Sequence, residues 1–347
     1  MVKLKFISNS LAKKHSCGMF HPESAHRIEV MEEWILSQSD DSISYEILDE
    51  SASKEDILVT HTSDHYELIE RSQNQTGHFY FDGDTAANNY TFEAARQAVA
   101  VGKKAIWESD NKTSIFALVR PPGHHATRTS PGGFCIFNNI AIASELALQE
   151  KKYQRIAIID FDHHFGNGTA YTLEENPEVL YVSTHANPQI AYPGSGFTDE
   201  VGKGEGRGYN IPIPLWYRAS EADLKLAFEQ IIMPIVFQFK PEFLAISVGF
   251  DAYERDPIGV LGVTREGFSM IGTFIHRISS ELNIPFANFL EGGYNIQMLP
   301  DLLSSYISPL IHPNQEFSES SRPLEPNNQT LTTLNQSKKI LRDYWEL

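Results

Sequence analysis

The chain repeatedly runs a short apolar stretch into polar residues and then into a stretch of helical period. "KLKFIS", "SIFALV", "RIAIIDF", "VLYVSTH", "FLAISVGF" and "IPFANFLE" are apolar almost throughout, whereas a strand with one wet face alternates. They are predicted as strands buried on both faces. Between them, "TFEAARQAVAVGKKAIWE", "NNIAIASELALQE", "EADLKLAFEQIIMPIVFQF" and "REGFSMIGTFIHRISSELN" repeat apolar residues at the spacing of a helix with one buried side. Strands alternating with helices predict an α/β fold: a parallel sheet with helices on both faces. No internal repeat interrupts the alternation. It predicts a single domain over residues 1–312, followed at 313–347 by a tail rich in Asn, Ser, Pro and Glu whose final "SKKILRDYWEL" has the pattern of a short docking helix.

Composition narrows the picture. The chain has 347 residues, of which 41% are hydrophobic, enough for a large core. Its net charge of −17 disfavours non-specific binding to nucleic acid or an anionic membrane and attracts cationic ligands, although an acidic surface also serves solubility. Two cysteines, Cys17 and Cys135, cannot make a disulfide framework, and Cys135 in "GGFCIF" reads as a small buried residue. No apolar run suits a signal peptide or approaches the roughly 18 residues of a membrane span, so a cytoplasmic protein is expected. The oligomeric state is not encoded in any of this, and a homo-oligomer stays open.

The polar residues are the informative part, because they cluster after strands. "SIFALV" leads into "RPPGHHATRTSPGGFCIFNN", "RIAIIDF" into "DHHFGNGT", "FLAISVGF" into "DAYERDPIGV", and "PFANFL" into "EGGYN". In open parallel sheets, ligands bind beyond the carboxyl ends of strands. Asp162 and His164 are two apart, so an extended backbone points both to one side, away from His163. Either residue alone reads as a helix cap or a strand-end residue. Together with Asp251, after "SVGF", they make an O,N,O set of the kind that holds Zn²⁺, or Fe²⁺ or Co²⁺. Two anionic ligands should leave bound water less acidic than three neutral histidines do, so a separate base is needed.

His124 and His125 in "PPGHH" are the candidates, presented by a stiff turn. Asp160 and Asn167 are available to orient them. A carboxylate partner raises a histidine's pKa whereas an amide fixes only its tautomer, so one imidazole can stay charged while the other acts as base. Tyr294, after two glycines, is a candidate hydrogen-bond donor to a developing oxyanion. Metal, base, second imidazole and phenol together describe water attack on a carbonyl.

"HPESAHR", "DGDT", "RPPGHHA", "GGFCIFNN", "DFDHHFGNGT", "YPGSG", "GFDAYERDPIG" and "LEGGYN" resemble, in order and spacing over residues 21–295, the zinc-dependent histone deacetylase and acetylpolyamine amidohydrolase superfamily, nearer its class II and bacterial branches. The resemblance implies an arginase-like α/β fold with an eight-stranded parallel sheet and hydrolysis of an N-acetyl amide. It carries metal ligation onto Asp162, His164 and Asp251, the general base onto His125 with Asn167 behind it, the electrostatic partner onto His124 with Asp160 behind it, and carbonyl polarisation onto Tyr294. It also implies roles that spacing does not: Gly133, Phe134 and Tyr192 at the substrate tunnel, Asp84 at its rim, and Arg27 near the acetate exit. A structural K⁺ is implied at main-chain oxygens of Asp160, Asp162 and His164, with Ser183 and Thr184.

Two positions depart from the pattern. Phe165 stands where many relatives have a second histidine, outside the ligand set, and Tyr192 replaces the commoner phenylalanine. The substrate is read as acetyl-lysine in a peptide or protein. At Ile258, after "DP", some polyamine-directed relatives carry a carboxylate for a distal ammonium, and this chain has none there. Acetylated polyamine stays the alternative, because "YPGSGFTDEVGKGEGRGYNIPIP" resembles the amidohydrolase branch. Two remoter readings fit less well: a manganese ureohydrolase needs more aspartates than one metal site uses, and a non-catalytic acyl-lysine binding protein would not need every catalytic position filled.

Overall fold

The computed structural model describes residues 2–313 and 325–347. Eight parallel strands form one sheet in the order β2-β1-β5-β10-β9-β6-β7-β8: β1 (Lys3–Asn9), β2 (Ile43–Leu48), β5 (Thr113–Leu118), β6 (Ile156–Asp160), β7 (Val179–Ala186), β8 (Asn210–Leu215), β9 (Phe243–Val248) and β10 (Phe286–Leu290). A small antiparallel hairpin, β3 (Phe79–Tyr80) and β4 (Ala86–Ala87), stands apart. The apolar runs are continuous because both faces are covered. In β6, Ile156 and Ile158 enter one core while Ala157 and Ile159 enter the other, and Phe243/Ala245 against Leu244/Ile246 repeat this in β9.

One face carries α4 (Thr91–Glu108) and α5 (Asn139–Gln149), with the short α2 (Lys54–Leu58) and α3 (Ser63–Ser72) outside them. The other carries α1 (His26–Ser37), α7 (Glu221–Ala227), α8 (Met233–Phe239), α9 (Arg265–Leu282) and α10 (Leu299–Ile311), while α6 (Asn167–Leu173) follows β6. The stretch 221–239, expected as one helix, is divided by a π-helical turn at Phe228–Ile232. Pro234, at the start of α8, has no N–H to continue the regular ladder.

Two strands of the eight-stranded sheet escaped the pattern of apolar runs, and both are its edges; the two short hairpin strands escaped it as well. β2 is half-exposed along its length, and β8, "NIPIPL", carries two prolines, which edge strands tolerate because one side of their ladder is unpaired. Residues 314–324, part of the expected polar tail, lie outside the described residues. The last helix, α11 (Asn328–Leu341), starts well before Ser337 because Asn327 caps it, its side chain accepting from the Gln329 N–H at 2.8 Å. It packs against the β8 edge: the Trp216 indole donates to Thr333 at 3.2 Å, Leu334 and Leu341 join the core, and Trp345 donates to the Gly208 carbonyl at 2.7 Å. Among the described residues no helix is long and apolar enough to cross a membrane.

Candidate active site

The four strands whose ends carry the polar motifs, β5, β10, β9 and β6, are the central neighbours of the sheet. Being parallel, they deliver those motifs to one edge, as the strand-end reading expects. Ligand atoms of Asp162, His164 and Asp251 all lie within 4.8 Å of one another, with the two aspartates buried. His164 Nδ1 is 3.0 Å from Asp251 and 3.4 Å from Asp162. The cradle leaves no room for more side chain, since a Cβ on Gly292 would sit 2.5 Å from the Asp162 carboxylate, and the Gly292 N–H donates to that carboxylate at 2.7 Å. Two carboxylates and an imidazole, converging in a buried pocket, are a donor set that fits a divalent cation.

His124 and His125 sit beside this group with their rings 4.0 Å apart. His124 Nδ1 donates to Asp160 at 3.1 Å, and the Tyr181 hydroxyl donates to the same oxygen at 2.9 Å. His125 Nδ1 is 2.8 Å from the amide oxygen of Asn167, which can only accept, so Nδ1 carries the proton and Nε2 keeps its lone pair. Their protonation diverges. Burial pushes the His124 imidazole down, but the charges of Asp162, Asp160 and Glu291 outweigh it and hold it at about 10. Burial and the neighbouring His124 and His164 rings hold His125 well below the usual histidine value.

Tyr294 is buried, and its ring is clamped between the Phe134 ring at 5.8 Å and the Arg27 guanidinium at 4.9 Å. Its N–H donates to Asp256 at 2.7 Å. Arg27 is fully buried, donating to the Gly293 carbonyl at 2.7 Å and to Glu23 at 3.2 Å. Tyr192 is half-exposed with its ring 4.9 Å from His125, and Gly133 lies under the same imidazole, where any Cβ would collide with it. Asp84 is exposed, its carbonyl accepting from His21, whose ring packs on Phe134 at 4.6 Å. Ile258 is half-buried in the loop after β9, its N–H held by Asp256. Ser183 and Thr184 lie on β7, with Ser183 paired to Asp160 across the sheet.

Several contributors were not singled out from the sequence. Glu291, quoted at the end of "IPFANFLE" and within "EGGYN" but given no role, accepts from the Gly123 and His124 N–H groups at 2.8 and 3.0 Å, and its other oxygen is buried without a partner among the described residues. Burial, offset by His124, places its carboxyl at about 7. Tyr181 had one legible signal, a phenol within the apolar first half of a buried strand, which must find a polar partner. Glu23 and Arg120 form a fully buried ion pair that also receives Arg27.

A model of the histone deacetylase domain matches residues 21–310. Histone deacetylase 15 of Arabidopsis thaliana is 35% identical over 300 residues, covering 84% of this chain and 53% of the relative, so the chain spans about half that protein's length. A probable deacetylase of Methanothermobacter thermautotrophicus is 38% identical over 248 residues, covering 72% of this chain and 73% of its own. The crystal structure of the HDA15 HD domain superposes with a TM-score of 0.89 at 29% identity, covering 99% of this chain and 95% of that one. With a domain model spanning most of the sequence, the chain belongs to the histone deacetylase family, zinc-dependent amidohydrolases built on the arginase-like α/β fold.

Proposed function

We propose that the chain removes the acetyl group from acetyl-lysine side chains of peptides or proteins, with Asp162, His164 and Asp251 holding the catalytic zinc. The observation that carries this reading is the pairing of that buried ligand set with two adjacent imidazoles, one facing the Asp160 carboxylate and the other the Asn167 amide oxygen. Zinc bound there would polarise the acetyl carbonyl and make a neighbouring water more acidic.

The chain's own residues supply the remainder. Nε2 of His125, neutral and oriented by Asn167, takes a proton from the water whose oxygen attacks the acetyl carbon. The Tyr294 hydroxyl, held by Arg27 and Phe134 packing, donates to the carbonyl oxygen as it gains charge. His124, kept cationic by the neighbouring carboxylates and hydrogen-bonded to Asp160, stabilises that negative charge. As the carbon–nitrogen bond breaks, His125 returns the proton to the leaving amine, giving acetate and free lysine. Phe134, Gly133 and Tyr192 line the lysine's path, Asp84 faces the peptide at the rim, and Arg27 marks the acetate side. A K⁺ at the backbone of Asp160, Asp162 and His164, with Ser183 and Thr184, belongs to the same proposal.

Acetylated polyamine is the second reading, favoured by two exposed carboxylates, Asp82 and Asp84, on the hairpin turn. Parallel kinetics decide between them. Acetyl-lysine peptides should be turned over with the higher kcat/KM, chelation should abolish the activity and Zn²⁺ restore it. A higher kcat/KM on acetylated polyamines would transfer the assignment, and full turnover by metal-stripped protein would reject the metal mechanism.

A further inference from the structure

The segment 127–137 leaves the His124/His125 turn, reaches the tunnel and returns to α5. Its tip is tightly wound. Gly132 and Cys135 exchange backbone hydrogen bonds of 3.1 and 2.9 Å, and between them Gly133 and Phe134 both take left-handed backbone, with φ of 53° and 69°. A phenylalanine stays in that region only where its surroundings over-determine it. The Phe134 N–H is held by the Thr85 hydroxyl at 3.1 Å, but that bond alone does not position the two legs of the arm.

Both legs are held by one short piece of chain, residues 60–65, which covers the turn after α2 and the first residues of α3. The Asn138 N–H donates to His61 Nε2 at 2.9 Å, so that nitrogen must carry the lone pair, and Nδ1 carries the proton it donates to the Thr127 carbonyl, also at 2.9 Å. One rigid ring therefore joins the start of the arm to its end. Beside it, His65 Nε2 donates to the Ile136 carbonyl at 2.9 Å. The two imidazoles lie 4.4 Å apart and pack on Phe137 at 5.4 and 5.5 Å. The Thr62 N–H adds a bond to the Arg128 carbonyl at 2.9 Å. Both rings are buried, and neither touches the candidate ligands or imidazoles of the active site.

We propose that His61 and His65 are positioning residues for substrate: a pair of neutral imidazoles that staples the arm and so fixes Phe134 at the tunnel wall. The proposal rests on the deacetylase reading, because it takes Phe134 as a wall of the lysine path. A staple of this kind needs one acceptor and one donor on opposite sides of a flat, buried group. A neutral imidazole provides both, and a carboxamide provides both on a more flexible stem. Acting through Phe134, the staple governs how well substrate is held and leaves the proton transfer at His125 largely intact.

The test uses the zinc-loaded full chain and an acetyl-lysine peptide. His61→Phe keeps the ring volume and removes both bonds; it should raise KM about tenfold or more with kcat changed less than about threefold, and His61→Gln should recover much of the loss. His65→Phe, losing one bond, should raise KM by a smaller factor. In a Phe134→Ala background His61→Phe should add little, since its effect travels through that ring. Backbone hydrogen exchange over 127–137 should quicken in His61→Phe, and this readout holds whether or not the peptide is the true substrate. An unchanged KM, a loss confined to kcat, full additivity with Phe134→Ala, or unaltered exchange would each overturn the staple. Should His61→Phe not fold, an unchanged KM in both His61→Gln and His65→Phe would do the same. Absence of turnover by the wild-type chain on acetyl-lysine peptides and acetylated polyamines alike would instead strike the deacetylase reading, leaving the exchange experiment to judge the arm.

Discussion

Two buried histidine pairs flank the same loop, and their chemistry differs. His61 and His65 lie 4.4 Å apart, His124 and His125 4.0 Å apart. Burial pushes all four imidazoles toward the neutral form. In the first pair both His61 nitrogens and His65 Nε2 meet backbone groups, His65 Nδ1 is buried without a hydrogen-bond partner among the described residues, and both rings stay down, His65 at about 4. His125 behaves the same way although it sits in the candidate active site, because burial and the His124 and His164 rings hold it down and Asn167 offers a dipole and no charge. Only His124 faces carboxylates, and only it rises, to about 10. Across these two pairs a hydrogen bond thus sets where an imidazole points, while its charge follows the carboxylates that face it.

The most severe break of this comparison is His125→Ala. If the neutral ring is the base, kcat on an acetyl-lysine peptide should fall by roughly 10³-fold, within the usual span for removing a general base, with little change in KM. An alanine variant with near-normal kcat would hand the role to another group. Tyr294→Phe should follow with a kcat loss of about 10²–10³-fold, the scale of one oxyanion donor. A raised KM at normal kcat would make Tyr294 a substrate-holding residue instead.

How much of this could be read beforehand depends on the kind of signal. The six inner strands were legible because burial on both faces leaves continuous apolar runs; the edge strands were not, since β2 alternates and the prolines of β8 argue against a strand taken alone. The grouping of Asp162, His164 and Asp251 was legible because each follows an apolar run and parallel strands share an edge. Partners set by tertiary contact left no local mark. Glu291 reaches the Gly123 and His124 N–H groups across 168 and 167 positions, and His61 reaches Asn138 across 77. No spacing rule spans such separations, and "VTHTSDH" by itself reads as the start of a helix.

Asp160→Asn sharpens the contrast within the second pair. Removing that charge takes away one of the influences that raise His124, while Asp162 and Glu291 remain. The folded-state pKa of His124 should therefore fall, and the alkaline limb of kcat/KM, which marks loss of its proton, should move to lower pH. At neutral pH the loss should be about 10–100-fold, as for other residues that support catalytic groups. Asn167→Ala should lower kcat by a similar factor but leave the alkaline limb in place, because it misorients His125 without removing a charge. Superimposable pH profiles for the two variants would mean that Asp160 and Asn167 do the same thing, and the distinction between charge and orientation would fail.

The mildest test applies the same rule to a carboxylate at the other end of the loop. Glu145 on α5 accepts from the Thr60 hydroxyl, next to the His61 staple. Burial raises its carboxyl to about 7, with Thr60 and the Arg128 charge only partly opposing. The folded chain therefore holds a proton there between about pH 4.5 and 7, where the unfolded chain has already lost it. The unfolded state binds fewer protons in that window, so this group's contribution to stability is full below about 4.5, declines as pH rises, and is gone above about 7. The shift corresponds to roughly 3 kcal/mol. Glu145→Gln keeps an acceptor for Thr60 and cannot ionise, so the variant should gain stability relative to wild type as pH rises from 5 to 8, up to a few kcal/mol in urea unfolding. Because Glu145 touches none of the active-site residues, kcat should stay near the wild-type value. A constant stability difference across that pH range would show that Arg128 keeps Glu145 ionised after all, and that a charge reaches this group as carboxylates reach His124.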